Sequence, residues 1–352
     1  MTSVQFDGPV CPVPLSDPAR VQLGHGSGGK MSAALLRDRF YPHFHNEYLA
    51  QLGDGAVVPV GESSLVLSTD TFVVSPLEFP GGNIGALAVH GTLNDVAMMG
   101  ARPLYLTAGF VLEEGLPLET LDRVVRTMAA AAGAAGVPLV TGDTKVVERG
   151  KADGLYVNTT GIGLTRPEFR PAPNQAQAGD VVLVSGPIGR HGMAIMAVRE
   201  GLAFESTIES DTANLYPLVE RLREAAGSAV AVLRDPTRGG LASTLNEIAQ
   251  ASRVGMALEE QALPVPGDVA AACEMLGLDP MYVANEGVLV AIVRPERAEA
   301  ALAALRADPL GREARKLGRV VPDHPGYVVL KTIVGGTRVV DMLPGDQLPR
   351  IC

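Results

Sequence analysis

Apolar positions along the chain change period several times, and each change predicts an element. Short apolar runs at 65–67, 104–112, 137–141 and 155–163 read as strands of a first half. Runs at 181–184 and near 255–259, 287–293, 318–321 and 327–334 read as strands of a second. Helical spacing begins at Met31, with Leu35, Leu36, Arg39 and Phe40, and returns over 83–99 with Ile84, Leu87, Ala88 and Leu93 near one side. Leu121, Val124, Val125, Met128 and Ala132 follow the i, i+3, i+4, i+7, i+11 stripe of a one-sided helix. Further helices are predicted near 190–200, 214–226, 240–252 and 296–306. Neither half shows the regular alternation of a doubly wound sheet, so the expected class is α/β (α+β), each half a sheet covered by helices.

The polar stretch 171–179, with Pro, Asn and Gln, predicts a domain boundary. Four spans are expected: a Pro-rich segment, Gly-rich loop and helix at 1–50, a first domain at 51–170, a second at 176–335, and a mobile tail at 336–352 that ends in Cys352. The length of 352 residues and the apolar fraction of 47% suit two cores. The formal charge of −10 argues against nucleic acid or an anionic membrane as partner. A chain this acidic would need metal ions to handle a polyphosphate. No secretory pattern is seen in the first fifteen residues, and no apolar run would span a bilayer. Cys11, Cys273 and Cys352 form no CxxC pair, so a reduced, cytoplasmic protein is expected. A terminal thiol is expected to be exposed, and it reads equally as a reactive tethered nucleophile or as an incidental residue.

Candidate chemistry lies in carboxylates beside small residues. Asp54, Asp70, Asp95, Asp143 and Asp235 sit in loops or at element ends, except that Asp95 falls inside an apolar helix. Singly each is commonly a cap or turn residue; as a set they suit Mg²⁺, which takes hard oxygen ligands. In the helix, Asp95 is costly unless something pairs with it. The glycine-rich segment 24–30 satisfies GxGxxG and GxxxxGK by spacing alone. It lacks a clear preceding strand, and Met31 stands where a P-loop needs Ser or Thr. A phosphate-covering flap or a plain loop both remain open. Lys145 and Glu286 each read as a proton acceptor or as half of a salt bridge. The six histidines show no zinc spacing.

The chain resembles the HypE family of hydrogenase maturation factors, within the wider group of aminoimidazole ribonucleotide synthetase, selenophosphate synthetase and thiamine-monophosphate kinase. The motifs that carry the resemblance include His25-Gly26-Ser27-Gly28-Gly29, Ser68-Thr69-Asp70-Thr71, Asn94-Asp95-Val96-Ala97, Thr141-Gly142-Asp143-Thr144-Lys145, Arg234-Asp235-Pro236-Thr237-Arg238-Gly239-Gly240 and Ala284-Asn285-Glu286-Gly287. The terminal Pro349-Arg350-Ile351-Cys352 separates this family from the rest of the group.

The resemblance implies a two-domain synthetase-like fold whose N-terminal sheets pair in a homodimer as a β-barrel, with ATP near that interface. It implies ATP-dependent dehydration of a carbamoyl group carried on Cys352, giving a thiocyanate that supplies the cyanide of [NiFe]-hydrogenase iron. Partners would be the carbamoyltransferase HypF and the HypC–HypD iron scaffold. On this reading Asp54, Asp70, Asp95 and Asp235 hold Mg²⁺. Gly28, Gly29, Asn94, Gly142, Asp143 and Thr144 bind the nucleotide, and Lys145 and Glu286 accept protons. The alternatives are a small-molecule kinase or synthetase of the same group with Cys352 incidental, or a nucleotide-binding assembly scaffold.

Overall fold

The computed structural model describes residues 20–51, 53–201, 208–345, 348 and 350–352; Cys11 lies outside them. In chain order the elements are α1 (Lys30–Leu35), α2 (Tyr41–Phe44), β1 (Ala56–Val60), β2 (Ser63–Phe72), β3 (Glu78–Phe79), β4 (Gly82–Asn83), α3 (Ile84–Met98), β5 (Arg102–Glu113), α4 (Leu118–Ala135), β6 (Leu139–Val147) and β7 (Leu155–Leu164). The second half holds β8 (Val181–Val184), α5 (Arg190–Arg199), α6 (Tyr216–Ala226), β9 (Val230–Arg234), α7 (Gly240–Ser252), β10 (Gly255–Glu259), α8 (Gly267–Leu276), β11 (Val290–Val293), α9 (Ala298–Arg306), β12 (Arg315–Val321), β13 (Val328–Lys331) and β14 (Thr337–Val340).

The first sheet runs β1-β2-β7-β5-β6 and the second β14-β13-β10-β12-β8-β11-β9. Most pairings are antiparallel; β5 with β6 and β10 with β13 are parallel. The first sheet is open within the chain, so the barrel implied by the resemblance requires a second copy. Its edge strand β6 leaves Leu139, Val140 and Val146 exposed.

Helix α3 departs from the one-sided expectation: it is buried on nearly every face. Ile84, Leu87 and Leu93 join the core over the first sheet, while Ala97 and Met98 join the core of the second domain. A helix enclosed by two layers needs no polar face. Asn83 caps it, accepting from Gly85 N–H at 2.9 Å. Leu36 and Phe40, at the two ends of the helical turn that links α1 to α2, and Phe44 of α2 face solvent rather than a core.

Several elements lie outside the expected set: β1, β9, α8 and β14. Strand β11 starts at Val290 rather than near 287. The strand β14 changes the tail most. Residues 337–340 pair antiparallel with β13, and Asn246 Nδ2 donates to Val340 O at 2.9 Å. Residues 337–340 of the expected mobile tail are therefore a strand of the second sheet.

Candidate active site

Strand β2 alternates, so Val66, Ser68, Asp70 and Phe72 share its inward side. That side faces α3, which carries Thr92 and Asp95. Ser68 Oγ donates to Asp95 Oδ2 at 2.7 Å and lies 2.9 Å from Asp54 O. Thr92 Oγ1 is 3.4 Å from Asp70 Oδ2. From the second domain, β9 ends at Arg234 and delivers Asp235. Arg234 Nε meets Asp54 Oδ1 at 2.8 Å and its Nη2 meets Glu247 Oε2 at 2.7 Å.

Asp54, Asp95 and Asp235 thus offer oxygens within 4.8 Å of one another, from a loop, a helix and a strand end of different domains. Burial, then repulsion from Asp70, Asp235 and Asp54, pushes the Asp95 carboxyl well above the ordinary range. Burial also raises Asp54 against the pull of Arg234, and raises Asp235 to about 6. Arg234 sits among these carboxylates; against burial, Asp54 and Glu247 hold its pKa above the ordinary value. Asp54 Oδ2 is buried without a hydrogen-bond partner among the described residues. A crowd of hard oxygens with one orphaned atom fits a divalent cation such as Mg²⁺, whose charge would reverse the local repulsion.

Glu286 lies in electrostatic reach of Asp235 and Asp70 of this cluster. It is buried with Oε1 unpartnered, and a Cβ on Gly91 of α3 would stand 3.8 Å from Oε2. Burial, then the charges of Asp235, Asp211 and Asp70, raises its pKa well above the carboxylate range, while Arg238 opposes. Asp211 holds the turn, accepting from Glu286 N–H at 3.1 Å and Gly287 N–H at 3.2 Å.

Contrary to the expectation for a chain end, the tail is docked. Ile351 is buried and Cys352 packs against the first-domain core. Val73 N–H, just past β2, donates to Cys352 O at 3.1 Å. Burial and then Glu286 push the Cys352 thiol up to about 12, with Arg238 opposing. A small cleft lined by Ser27, Gly29, Arg238, Tyr282, Leu348 and Ile351 runs beside it.

Of the residues singled out from sequence, Asp54, Asp70, Asp95, Asp235, Glu286 and Cys352 come together. Gly28 and Gly29 lie beside the tail. Gly28 has φ +77°, and a Cβ there would meet Arg238 at 2.9 Å; one on Gly29 would stand 2.5 Å from Leu343 O. Asn94 is fully buried; its amide donates to Ala213 O at 3.0 Å and accepts from Leu215 N–H at 2.8 Å, joining α3 to the second domain. Gly142, Asp143, Thr144 and Lys145 stand apart on the exposed edge β6, where Lys145 Nζ pairs with Asp143 Oδ2 at 2.6 Å. Lys145 holds down the Asp143 carboxyl pKa. Sequence reasoning gave no role to Arg234, Asp211 or His191. Arg234 had a signal, a cation directly before Asp235; the other two become visible only through contacts across the fold.

Family models of AIR synthase related proteins match residues 52–165 (N-terminal domain) and 177–331 (C-terminal domain). The Carbamoyl dehydratase HypE of Bradyrhizobium diazoefficiens is 55% identical over 332 residues, spanning 94% of this chain and 96% of that protein. A crystal structure of a HypE–HypF complex is similar with TM-score 0.84 and 46% identity, covering 88% of this chain and 100% of that one. A crystal structure of HypE in complex with ATP has TM-score 0.80 and 49% identity, covering 95% and 100%. This chain belongs to the HypE family of AIR synthase related proteins.

Proposed function

We propose that the protein is an ATP-dependent carbamoyl dehydratase of hydrogenase maturation, working on a carbamoyl group carried as a thiocarbamate on Cys352. The observation that carries this reading is the docked terminus: the last thiol is in electrostatic reach of Glu286 and of the aspartate cluster. A kinase or synthetase with a free small substrate gives no reason for a terminal cysteine there.

The thiocarbamate oxygen attacks the γ-phosphorus of ATP, and ADP leaves. One N–H proton is lost, giving an S-bound imidate phosphate. Loss of the second N–H proton with departure of inorganic phosphate leaves S–C≡N. Glu286 suits the proton-accepting role, because it is buried beside the thiol with Oε1 free of a partner among the described residues, and burial makes its carboxylate a stronger base than an exposed one. Asp54, Asp70, Asp95 and Asp235 would hold Mg²⁺, which supplies charge compensation for the triphosphate. Arg234 pairs with Asp54 Oδ1 and holds it in place. Asp211 fixes the Glu286 turn. Gly28 and Gly29 let the loop that carries them lie close over the cleft.

Gly142, Asp143, Thr144 and Lys145 enter this proposal through a homodimer. The edge β6 presents them, with exposed Leu139 and Val140, to a second copy, where Lys145 would be the second proton acceptor. HypF as carbamoyl donor and HypC–HypD as cyanide acceptor belong to the same proposal.

Intact mass of the C-terminal peptide tests it. Incubation with the carbamoyl donor should add one carbamoyl group at Cys352, and ATP with Mg²⁺ should then remove one water. A product formed at the normal rate by a protein lacking Cys352 would overturn the reading.

A further inference from the structure

The last residues are held from two sides. On one, the segment after β2 pairs with them in strand fashion. Ser75 N–H donates to Arg350 O at 3.3 Å, Arg350 Nε donates to Val73 O at 3.0 Å, and Val73 N–H donates to Cys352 O. On the other, α5 supplies two side chains. The Arg199 guanidinium donates to Arg350 O, and His191 Nε2 lies 2.8 Å from Ile351 O.

His191 is fully buried, its ring edge-on to Phe79 at 5.5 Å. A carbonyl facing Nε2 requires the proton on that nitrogen. Nδ1 is then an acceptor and takes the Ser210 hydroxyl at 2.8 Å, while Ser210 Oγ accepts from Thr212 N–H at 3.2 Å. The chain of bonds therefore runs one way, from Thr212 through Ser210 and His191 to the tail. Burial pushes the imidazole down to about 4, which keeps it in this neutral form. The residue next to Ser210 is Asp211, which holds the Glu286 turn. One short loop thus touches both the tail's anchor and the proposed proton acceptor.

We propose that His191 is a positioning residue: its Nε2–H, oriented by Ser210, fixes the Ile351 carbonyl and so sets where the Cys352 sulfur stands relative to Glu286. The inference rests on the reading that a group on Cys352 is transformed beside Glu286. Arg350 keeps its own bonds to Val73 and to Asp153 when His191 is changed, so the loss falls on the sulfur's placement.

The test uses the full chain and iodoacetamide, with alkylation followed by mass on the C-terminal peptide alone. His191→Ala should speed Cys352 alkylation about five- to tenfold, the population shift of one lost buried hydrogen bond. It should slow ATP-dependent loss of water from carbamoyl-Cys352 by at least about the same factor, with ATP affinity unchanged. His191→Gln, which still donates and accepts, should restore most of both. Ser210→Ala should move both readouts less, in the same direction. Alkylation unchanged in His191→Ala, or a Gln variant as fast as the Ala variant, would overturn the proposal. Should the Ala variant fail to fold, an unchanged alkylation rate in Ser210→Ala overturns it. Failure of the parent reading looks different: Cys352 never gains the carbamoyl mass, while the alkylation differences persist.

Discussion

Removing one charge from the aspartate cluster should stabilise the metal-free protein and abolish its response to Mg²⁺. Asp95→Asn is the cleanest change, since the amide oxygen still accepts from Ser68 Oγ. Its neighbours Asp54 and Asp235 offer oxygens within 4.8 Å. Two unit charges at that separation repel by about 3 kcal/mol at an effective dielectric of about 20. Protonation already relieves part of this, so the expected gain for Asp95→Asn is about 1 kcal/mol, or about 2 °C in melting temperature. Wild-type protein should gain about 3 kcal/mol from Mg²⁺ and ATP at a hundredfold excess over Kd; the variant should gain little and show no turnover. Thermal melts with chelator and with Mg²⁺ and ATP measure both. A variant that melts lower than wild type with chelator, or that keeps the full ligand shift, would refute the reasoning.

Arg234→Met leaves the largely buried Asp54 and the half-exposed Glu247 without their cation, and urea unfolding should report a loss of about 3 kcal/mol, chiefly from Asp54; a loss below about 1 kcal/mol would show the pair to be dispensable. Asp235 and Asp211, both raised to about 6, bind protons more tightly folded than unfolded. Their contribution is fully present below pH 3.8 and is lost as pH rises through about 6, so Asp235→Asn should flatten the metal-free stability profile in that window. Gly28→Ala forces a Cβ against Arg238 at a positive φ and should cost about 1–2 kcal/mol in a melt while speeding Cys352 alkylation. Val140→Glu on the exposed edge β6 should shift sedimentation toward monomer, and an unchanged sedimentation coefficient would remove that edge from the proposed dimer contact.

Much of the fold was legible where one face of an element meets a core. Helix α4 carries most of the predicted stripe: Val124, Met128 and Ala132 are buried and Leu121 packs half-buried on the same core, while Val125 is exposed; the helix ends at Gly136 with φ +66°. What escaped notice lacks periodicity. Strand β9 is four apolar residues closed by Arg234, and so short an apolar run reads alike as strand or buried helix. Strand β14 is four residues long with mixed polarity, and only its pairing with β13 defines it. Singly the aspartates read as caps or turn residues and drew attention only as a set, with Asp95 set apart by its apolar helix; the convergence of Asp54, Asp95 and Asp235 from two domains was not visible. His191 was invisible as an anchor because its partner, the Ile351 carbonyl, carries no side-chain signal.

The docked state also dictates where loading occurs under the proposed function. A thiol pushed up to about 12 stays protonated, and the thiolate is the nucleophile. Glu286 and the aspartates that suppress the thiolate make the docked position wrong for attack on a carbamoyl donor. Once the thiocarbamate has formed, no ionisable group is left on the sulfur, and burial costs it no charge desolvation. The thiocyanate product is neutral too. The same acidic surroundings that reject the bare thiolate therefore accept both the cargo and its product, so loading belongs outside and dehydration inside. The strand β14 fixes the length available for that exchange: the segment from Asp341 to Cys352 must release the bonds of Arg350 and Ile351 to reach a partner.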